Sequence, residues 1–391
     1  MNMRVVFVSP SFYPAFHYGG PTFINRSFCR AMAEHENLEL EVLTTDANGP
    51  GQRIDSQAQK QQREGYDITY CRRWFSPDIA PGLCLRLWGK IRNADVVHLN
   101  GVYSFTTIPT LAFCKLLKKP LVWSTMGGLQ RWEGTTRVRA KRVWERICNW
   151  LSSPELVLMH VTSEQERTES VEKVPNASAF LLRNGIDVPT LLDHRNEDSK
   201  DVLRLLYIGR LHPIKGIENL LTALTMVKSR VNLAICGEGD LDYESHLRAL
   251  VARLGLTEIV RFQGQVDGEI KESHFREANL CIAPSFKEAF CTVVLESLAR
   301  AVPVIVTTGT PWQRVEERGC GLCVDNGSTE LANAIDRAAG LALTEMGLRG
   351  RAWMQEEFSW SQIADEMIET YKVLTTHQTR EPQPFTKPEA A

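Results

Sequence analysis

Two glutamates carry the first chemical signal in the chain. Glu288 and Glu296 lie in Pro284-Ser-Phe-Lys-Glu-Ala-Phe-Cys-Thr-Val-Val-Leu-Glu296, with seven residues between them. An apolar run ending near Ala283 precedes them. The spacing therefore predicts a strand, a loop holding Glu288, and a helix that starts around Cys291–Thr292 with Glu296 in its second turn. A carboxylate facing inward from such a helix is costly unless it is hydrogen-bonded, and ribose hydroxyls are natural partners for it. The amides of Phe290, Cys291 and Thr292, at the helix N-terminus, would point at an anion. A second segment, Leu206-Tyr-Ile-Gly209-Arg210-Leu-His-Pro-Ile-Lys215-Gly216, reads as strand, glycine turn and helix start. Arg210 and Lys215 flank its turn, and two cations beside helix amides suit a diphosphate. The blander reading is two solvated charges on a loop. Gly237, in Cys236-Gly-Glu-Gly239, follows another apolar run, but a lone Gly-x-Gly lacks the full dinucleotide fingerprint.

The elements that must position these groups are legible as apolar runs of the kind buried on both faces of a parallel sheet. They fall at Val5–Ser9, Glu41–Thr45, Ile68–Cys71, Asp95–Leu99, Leu121–Ser124, Leu156–Val161 and Ala179–Leu182, and again at Leu203–Ile208, Asn232–Cys236, Ile259–Gln263, Leu280–Ala283, Pro303–Val306 and Leu322–Val324. Helix-period segments such as Gly216–Lys228 and Tyr243–Leu254 separate many of them. Such alternation predicts an α/β chain of doubly wound, Rossmann-like domains joined by right-handed crossovers. The pattern pauses at Val188–Asp201, a polar stretch led by Pro189, which marks the interdomain linker. Domains are expected over 1–190 and 198–356. Residues 375–391, with Pro382, Pro384 and Pro388, are expected to form a disordered tail.

The chain has 391 residues, with 45 Lys+Arg against 47 Asp+Glu, and is 43% hydrophobic. That composition fits a globular protein of two or three domains. No apolar run is long enough to span a bilayer, and the opening residues read as a strand and not as a secretory signal. A cytoplasmic protein with reduced thiols is expected. Of ten cysteines only Cys320 and Cys323 have metal-like spacing, so no metal site is expected. Residues 1–190 hold 23 basic and 18 acidic side chains, a net +5, leaving 22 and 29, a net -7, for the rest. A basic first half hints at an anionic surface or substrate. Between Arg131 and Leu151, Arg139, Arg142 and Arg146 share a helical face with Asn149, while Val143, Trp144, Ile147 and Leu151 occupy another. This stretch could meet anionic lipid as a peripheral contact, or simply pack on the first sheet. Nucleic acid is not expected as a partner.

The paired glutamates, preceded by Arg210 and Lys215, resemble those of the retaining glycosyltransferases of the GT-B fold, family 4. Further pieces fit in order. Gly19-Gly20-Pro21 is similar to the family's N-terminal glycine loop, and Asp95-Val-Val-His98-Leu-Asn100-Gly101 to its His-containing strand end. Asn184-Gly-Ile-Asp187 resembles the signature before the linker, and Phe358-Ser-Trp360 opens a helix, about 359–374, like the one that crosses back to the first domain. The resemblance implies two Rossmann-like domains facing across a cleft, the first on the acceptor side and the second binding a nucleotide sugar as co-substrate, with no cofactor. Arg210 and Lys215 would hold the diphosphate and Glu288 the donor sugar. Glu296 would hold the ribose, with Gly19, Gly20, Gly209, Gly237, Phe290, Cys291 and Thr292 also donor-binding. His98, Asn100, Tyr103 and Gly127 are the acceptor-side candidates. The implied reaction moves a hexosyl group to a saccharide or lipid-linked acceptor, in assembly of surface polysaccharide or lipopolysaccharide. An epimerase of the same fold and a non-catalytic nucleotide-sugar binder are the rival readings.

Three positions depart from the family's pattern. Ala289 replaces the usual glycine after the first glutamate, and would be strained if its φ were positive. Met126 stands where a histidine is common, and a thioether cannot shuttle a proton. Gly309-Thr-Pro-Trp312 replaces a glycine pair near the donor sugar, with Trp312 either near that sugar or covering a core edge.

Overall fold

A computed structural model describes residues 2–18, 20–49, 51–55, 64–74, 79–132, 134–190 and 202–377. The chain divides into two compact units. One is Met1–Gly185 together with the chain from Trp360 onward, and the other is Ile186–Ser359. Residues 191–201, where the sequence places most of the linker, lie outside the described residues.

Unit 1 is built on seven strands, β1 (Met3–Val8), β2 (Leu38–Thr45), β3 (Asp67–Cys71), β4 (Val96–Asn100), β5 (Leu121–Ser124), β6 (Val157–Val161) and β7 (Ser178–Leu181). They form one sheet in the order β3-β2-β1-β4-β5-β6-β7, parallel throughout. Alternation along each strand feeds two cores. Val6, Val8, Val97 and Leu99 pack under the helices Pro81–Asn93, Thr107–Leu117 and Val138–Leu151. Val5, Phe7, Val42 and Val122 pack under Gly20–Ala33 and the returning helix Trp360–His377. This burial on both faces is why the strands read as near-continuous apolar runs.

The returning helix outruns its expected end near Leu374. Thr375 and Thr376 are helical, with hydroxyls donating to the carbonyls of Tyr371 at 3.1 Å and Lys372 at 2.7 Å. The tail expected from residue 375 is thus corrected over 375–377, and 378–391 lie outside the described residues.

Unit 2 repeats the plan with β8 (Leu203–Ile208), β9 (Val231–Cys236), β10 (Val260–Gly264), β11 (Leu280–Ala283), β12 (Val304–Thr307) and β13 (Gly321–Val324). The order is β10-β9-β8-β11-β12-β13. Each of the thirteen apolar runs read from the sequence overlaps one strand. In both sheets the order reverses beside the first strand, between β1 and β4 and between β8 and β11. Open α/β sheets bind ligands beyond the carboxyl ends of the strands at such a switch point.

Candidate active site

The loops beyond β8 and β11 carry the residues singled out in the sequence. Lys215 ends a short helical turn after β8, and its ammonium is ion-paired with Oε1 of Glu288. The Ser285 hydroxyl donates to the same carboxylate oxygen at 2.7 Å. Both charged side chains are mostly buried. The loops touch backbone to backbone. Gly216 has φ +65°, and a Cβ there would sit 2.1 Å from the Pro284 carbonyl oxygen. At Gly237, φ +142°, it would sit 1.9 Å from that of Gly209. Only glycine permits these approaches. The Phe286 amide donates to Ile214 (2.8 Å) and that of Glu288 to Gly309 (2.9 Å), so three loops hold the glutamate.

Arg210 is exposed just past the strand, its carbonyl accepting from the buried Tyr207 hydroxyl at 3.0 Å. His212 reports the local field. Burial lowers its pKa first, and the charges of Arg210 and Lys215 push it lower still. The two cations therefore converge on one loop.

The helix after Glu288 runs Thr292–Ala299, as the spacing predicts, and no side chain caps its first turn. A first turn without a side-chain cap leaves amides for an anion to engage. The strain expected at Ala289 falls instead on Cys291, which takes φ 65° at the N-cap. Glu296 pairs with Lys271 at 2.7 Å. Lys271 and Ser285 were not foreseen. Lys271 lies in the helix Gly268–Glu277, a polar segment without a motif. Trp312 is core: 2% exposed, it donates from Nε1 to the Phe290 carbonyl and stacks on Phe358 with ring centroids 5.5 Å apart. It props the loop from below.

In unit 1, Gly20 starts the first long helix, and Gly19 lies outside the described residues. His98 and Asn100 sit at the end of β4 beside a pocket that Asn25, Ser124, Met126 and Asn184 also line. Both nitrogens of His98 are engaged, Nδ1 with the Tyr371 hydroxyl (2.5 Å) and Nε2 with Ser124 Oγ (2.7 Å). Ser124 Oγ also meets His160 Nδ1 at 2.7 Å. Burial, with His160 beside it, holds the His98 pKa well below the usual value. His98 is thus a neutral scaffold residue with no nitrogen open to a substrate. Asn100 donates to Asn25 Oδ1 at 2.9 Å.

Gly127 and Tyr103 are held apart from that pocket. The Gly127 amide (2.5 Å) and Thr125 hydroxyl (2.7 Å) donate to Oε1 of the fully buried Glu166, whose Oε2 accepts from the amide and hydroxyl of Thr162. Met126, with φ 49°, rides on this clamp. Ser163-x-x-Glu166 is a capping-box spacing, and the sequence could have shown the helix start by it. The Tyr103 hydroxyl donates to Glu145 and accepts from Arg131 (2.8 Å), and Arg131 is ion-paired with Glu145. Among the described residues no group of three or more His, Cys, Asp or Glu could hold a metal ion.

Comparison with known proteins places this geometry. Residues 203–340 match the family model for glycosyl transferases group 1. An uncharacterized glycosyltransferase of Methanocaldococcus jannaschii is 31% identical over 323 residues, 79% of this chain and 75% of the relative. The chain belongs to the group 1 glycosyltransferases. This glycosyltransferase is also 26% identical to the GDP-mannose:cellobiosyl-diphosphopolyprenol alpha-mannosyltransferase of Xanthomonas campestris, over 97% of the chain and 99% of that relative. Anabaena HepE, solved in complex with UDP, superposes on the glycosyltransferase with a TM-score of 0.74 at 18% identity, covering 95% and 100% of the two chains. The fold is GT-B.

Proposed function

We propose that this glycosyltransferase is a retaining, family 4 enzyme. It moves a hexosyl group from a nucleoside-diphosphate sugar to a saccharide or lipid-linked saccharide acceptor in surface polysaccharide or lipopolysaccharide assembly, working in the cytoplasm. The observation that carries the reading is the Lys215–Glu288–Ser285 cluster at the switch point of β8 and β11, with Arg210 beside it. The printed names of relatives support the substrate class: the Xanthomonas relative uses GDP-mannose and a diphosphopolyprenol acceptor, and HepE was solved with UDP.

In this proposal the domain over 198–356 binds the donor. The domain over 1–190, completed by the helix about 359–374, binds the acceptor. The diphosphate lies against Arg210, Lys215 and the amides of Phe290, Cys291 and Thr292, close to Gly209 and Gly237. Glu288 accepts from hydroxyls of the donor sugar, and Glu296, steadied by Lys271, from those of the ribose. Gly20 belongs with the donor-binding set, and Asn100, Tyr103 and Gly127 shape the acceptor side. The acceptor oxygen bonds to the anomeric carbon on the face that the phosphate leaves. The bond from that carbon to the phosphate oxygen breaks, its electron pair stays on the phosphate, and the acceptor proton passes to it. Retention follows. Fixed cations and amides stabilise the growing phosphate charge in place of a metal or cofactor. Met126 and the fully engaged His98 take no part in the proton transfer.

The test incubates the protein with labelled nucleotide sugars, with and without saccharide and polyprenol-diphosphate saccharide acceptors. Acceptor-dependent transfer with retained anomeric configuration is expected, reduced at least roughly 100-fold in Glu288→Gln by loss of a charged hydrogen-bond acceptor. An isomerised sugar from donor alone would instead identify an epimerase.

A further inference from the structure

Three helices cover one face of the unit 1 sheet side by side: Pro81–Asn93, Thr107–Leu117 and Val138–Leu151. They join into one surface. Trp88 of the first meets Phe113 of the second with ring centroids 5.3 Å apart, and the Lys115 ammonium of the second lies 4.8 Å from the Trp150 ring of the third. Their outward sides are unusually apolar for a surface: Leu85 is 83% exposed, Leu116 70% and Trp150 70%, with Trp88, Val143 and Ile147 also exposed. The helices carry three, one and four basic residues in turn and a single acid, Glu145. Glu145 points inward, buried against Tyr103 and Arg131.

The third helix is not oriented as its sequence suggests. Its inward side is Glu145, Cys148 and Leu151, with Trp144 donating to the Val102 carbonyl at 2.8 Å. Val143 and Ile147, which periodicity would bury, are exposed between Arg139, Arg142 and Arg146. Those three arginines form no ion pair among the described residues. No described helix is long and apolar enough to cross a membrane.

We propose that the outward side of these three helices is a docking surface for an anionic lipid bilayer. Aliphatic and indole side chains interleaved with unpaired arginines match the acyl boundary and the anionic headgroups together. Nucleic acid would leave Leu85, Leu116 and Trp150 without partners. A second copy of this surface would bring like charges together. Docking here also has a route to the acceptor side, because Glu145 grips Tyr103 and Arg131, on the loops that follow β4 and β5. That role in presenting a lipid-linked acceptor rests on the proposed transfer reaction; the binding to lipid does not.

The test sediments the full chain with vesicles of phosphatidylcholine alone, or with about one-third phosphatidylglycerol. The wild type should sediment with the anionic vesicles, less so at high salt, and stay in solution with neutral ones. Each arginine near an anionic surface contributes about fivefold, so Arg139→Gln/Arg142→Gln/Arg146→Gln should lose about 100-fold in partitioning. Ile147→Ser/Trp150→Ser should weaken binding through lost insertion. All five side chains are exposed, so nucleotide binding by unit 2 should be unchanged in both variants. If neither variant nor wild type binds nucleotide, the transferase reading fails separately from the vesicle result. The proposal is overturned if the wild type ignores anionic vesicles or if the triple variant sediments equally. It is also overturned if light scattering shows a dimer in which Ile147→Ser/Trp150→Ser restores the monomer.

Discussion

At the scale of single residues, the Lys215–Glu288 pair holds two opposite charges that a nucleotide sugar would divide between itself. The phosphate would engage the ammonium and the sugar hydroxyls the carboxylate, so the pair keeps both side chains placed before a donor arrives. His212 offers a direct reading of the same field. Its pKa is lowered by burial and then by Arg210 and Lys215. A bound diphosphate offsets those two charges, which makes the imidazolium less unfavourable and raises the pKa. Two unit charges 4 Å apart interact by about 4 kcal/mol at an effective dielectric of 20, more than a modest further burial of the ring would cost. An NMR titration of His212 with and without nucleoside diphosphate should therefore show the pKa move upward on binding. An unchanged or lower value would place the phosphates elsewhere.

At the scale of elements, the donor loop stands on an aromatic pillar. Trp312 lies among Phe290, Trp353 and Phe358 and donates to the carbonyl just before the helix that bears Glu296. Trp312→Phe keeps most of the stacking but leaves that buried carbonyl without its donor, at a cost of about 1–3 kcal/mol. The expected outcome is a lower melting temperature together with weaker nucleotide affinity, read by thermal unfolding with and without ligand. A variant less stable but with unchanged affinity would confine Trp312 to packing. The elements were legible in advance because strands buried on two faces leave unbroken apolar runs, and the helix start at Thr292 follows from the residues around it. The side of an aromatic was not. Nothing local decides whether Trp312 faces sugar or core, and the exposed Val143 and Ile147 have the spacing of buried residues. Lys271 was invisible because its partner, Glu296, is 25 residues away on another helix.

At the scale of the molecule, charge and role are uncoupled in an instructive way. The proposed phosphate site lies in the acidic half of the chain, so two placed cations and uncapped amides matter more there than the net -7. The basic half carries its excess on the outer side of three helices instead. Sequence composition showed the imbalance but not which surface held it, because helix rotation about its axis is set by packing.

The central claim is that a nucleoside diphosphate binds beyond β8 and β11 through Arg210 and Lys215. Calorimetric titration of UDP, GDP and ADP into the wild type, Arg210→Ala and Lys215→Ala tests it most directly. At least one nucleotide should bind the wild type, and each substitution should weaken it by roughly 10-fold or more, the worth of a charged hydrogen bond. Equal affinity in all three proteins would contradict the account.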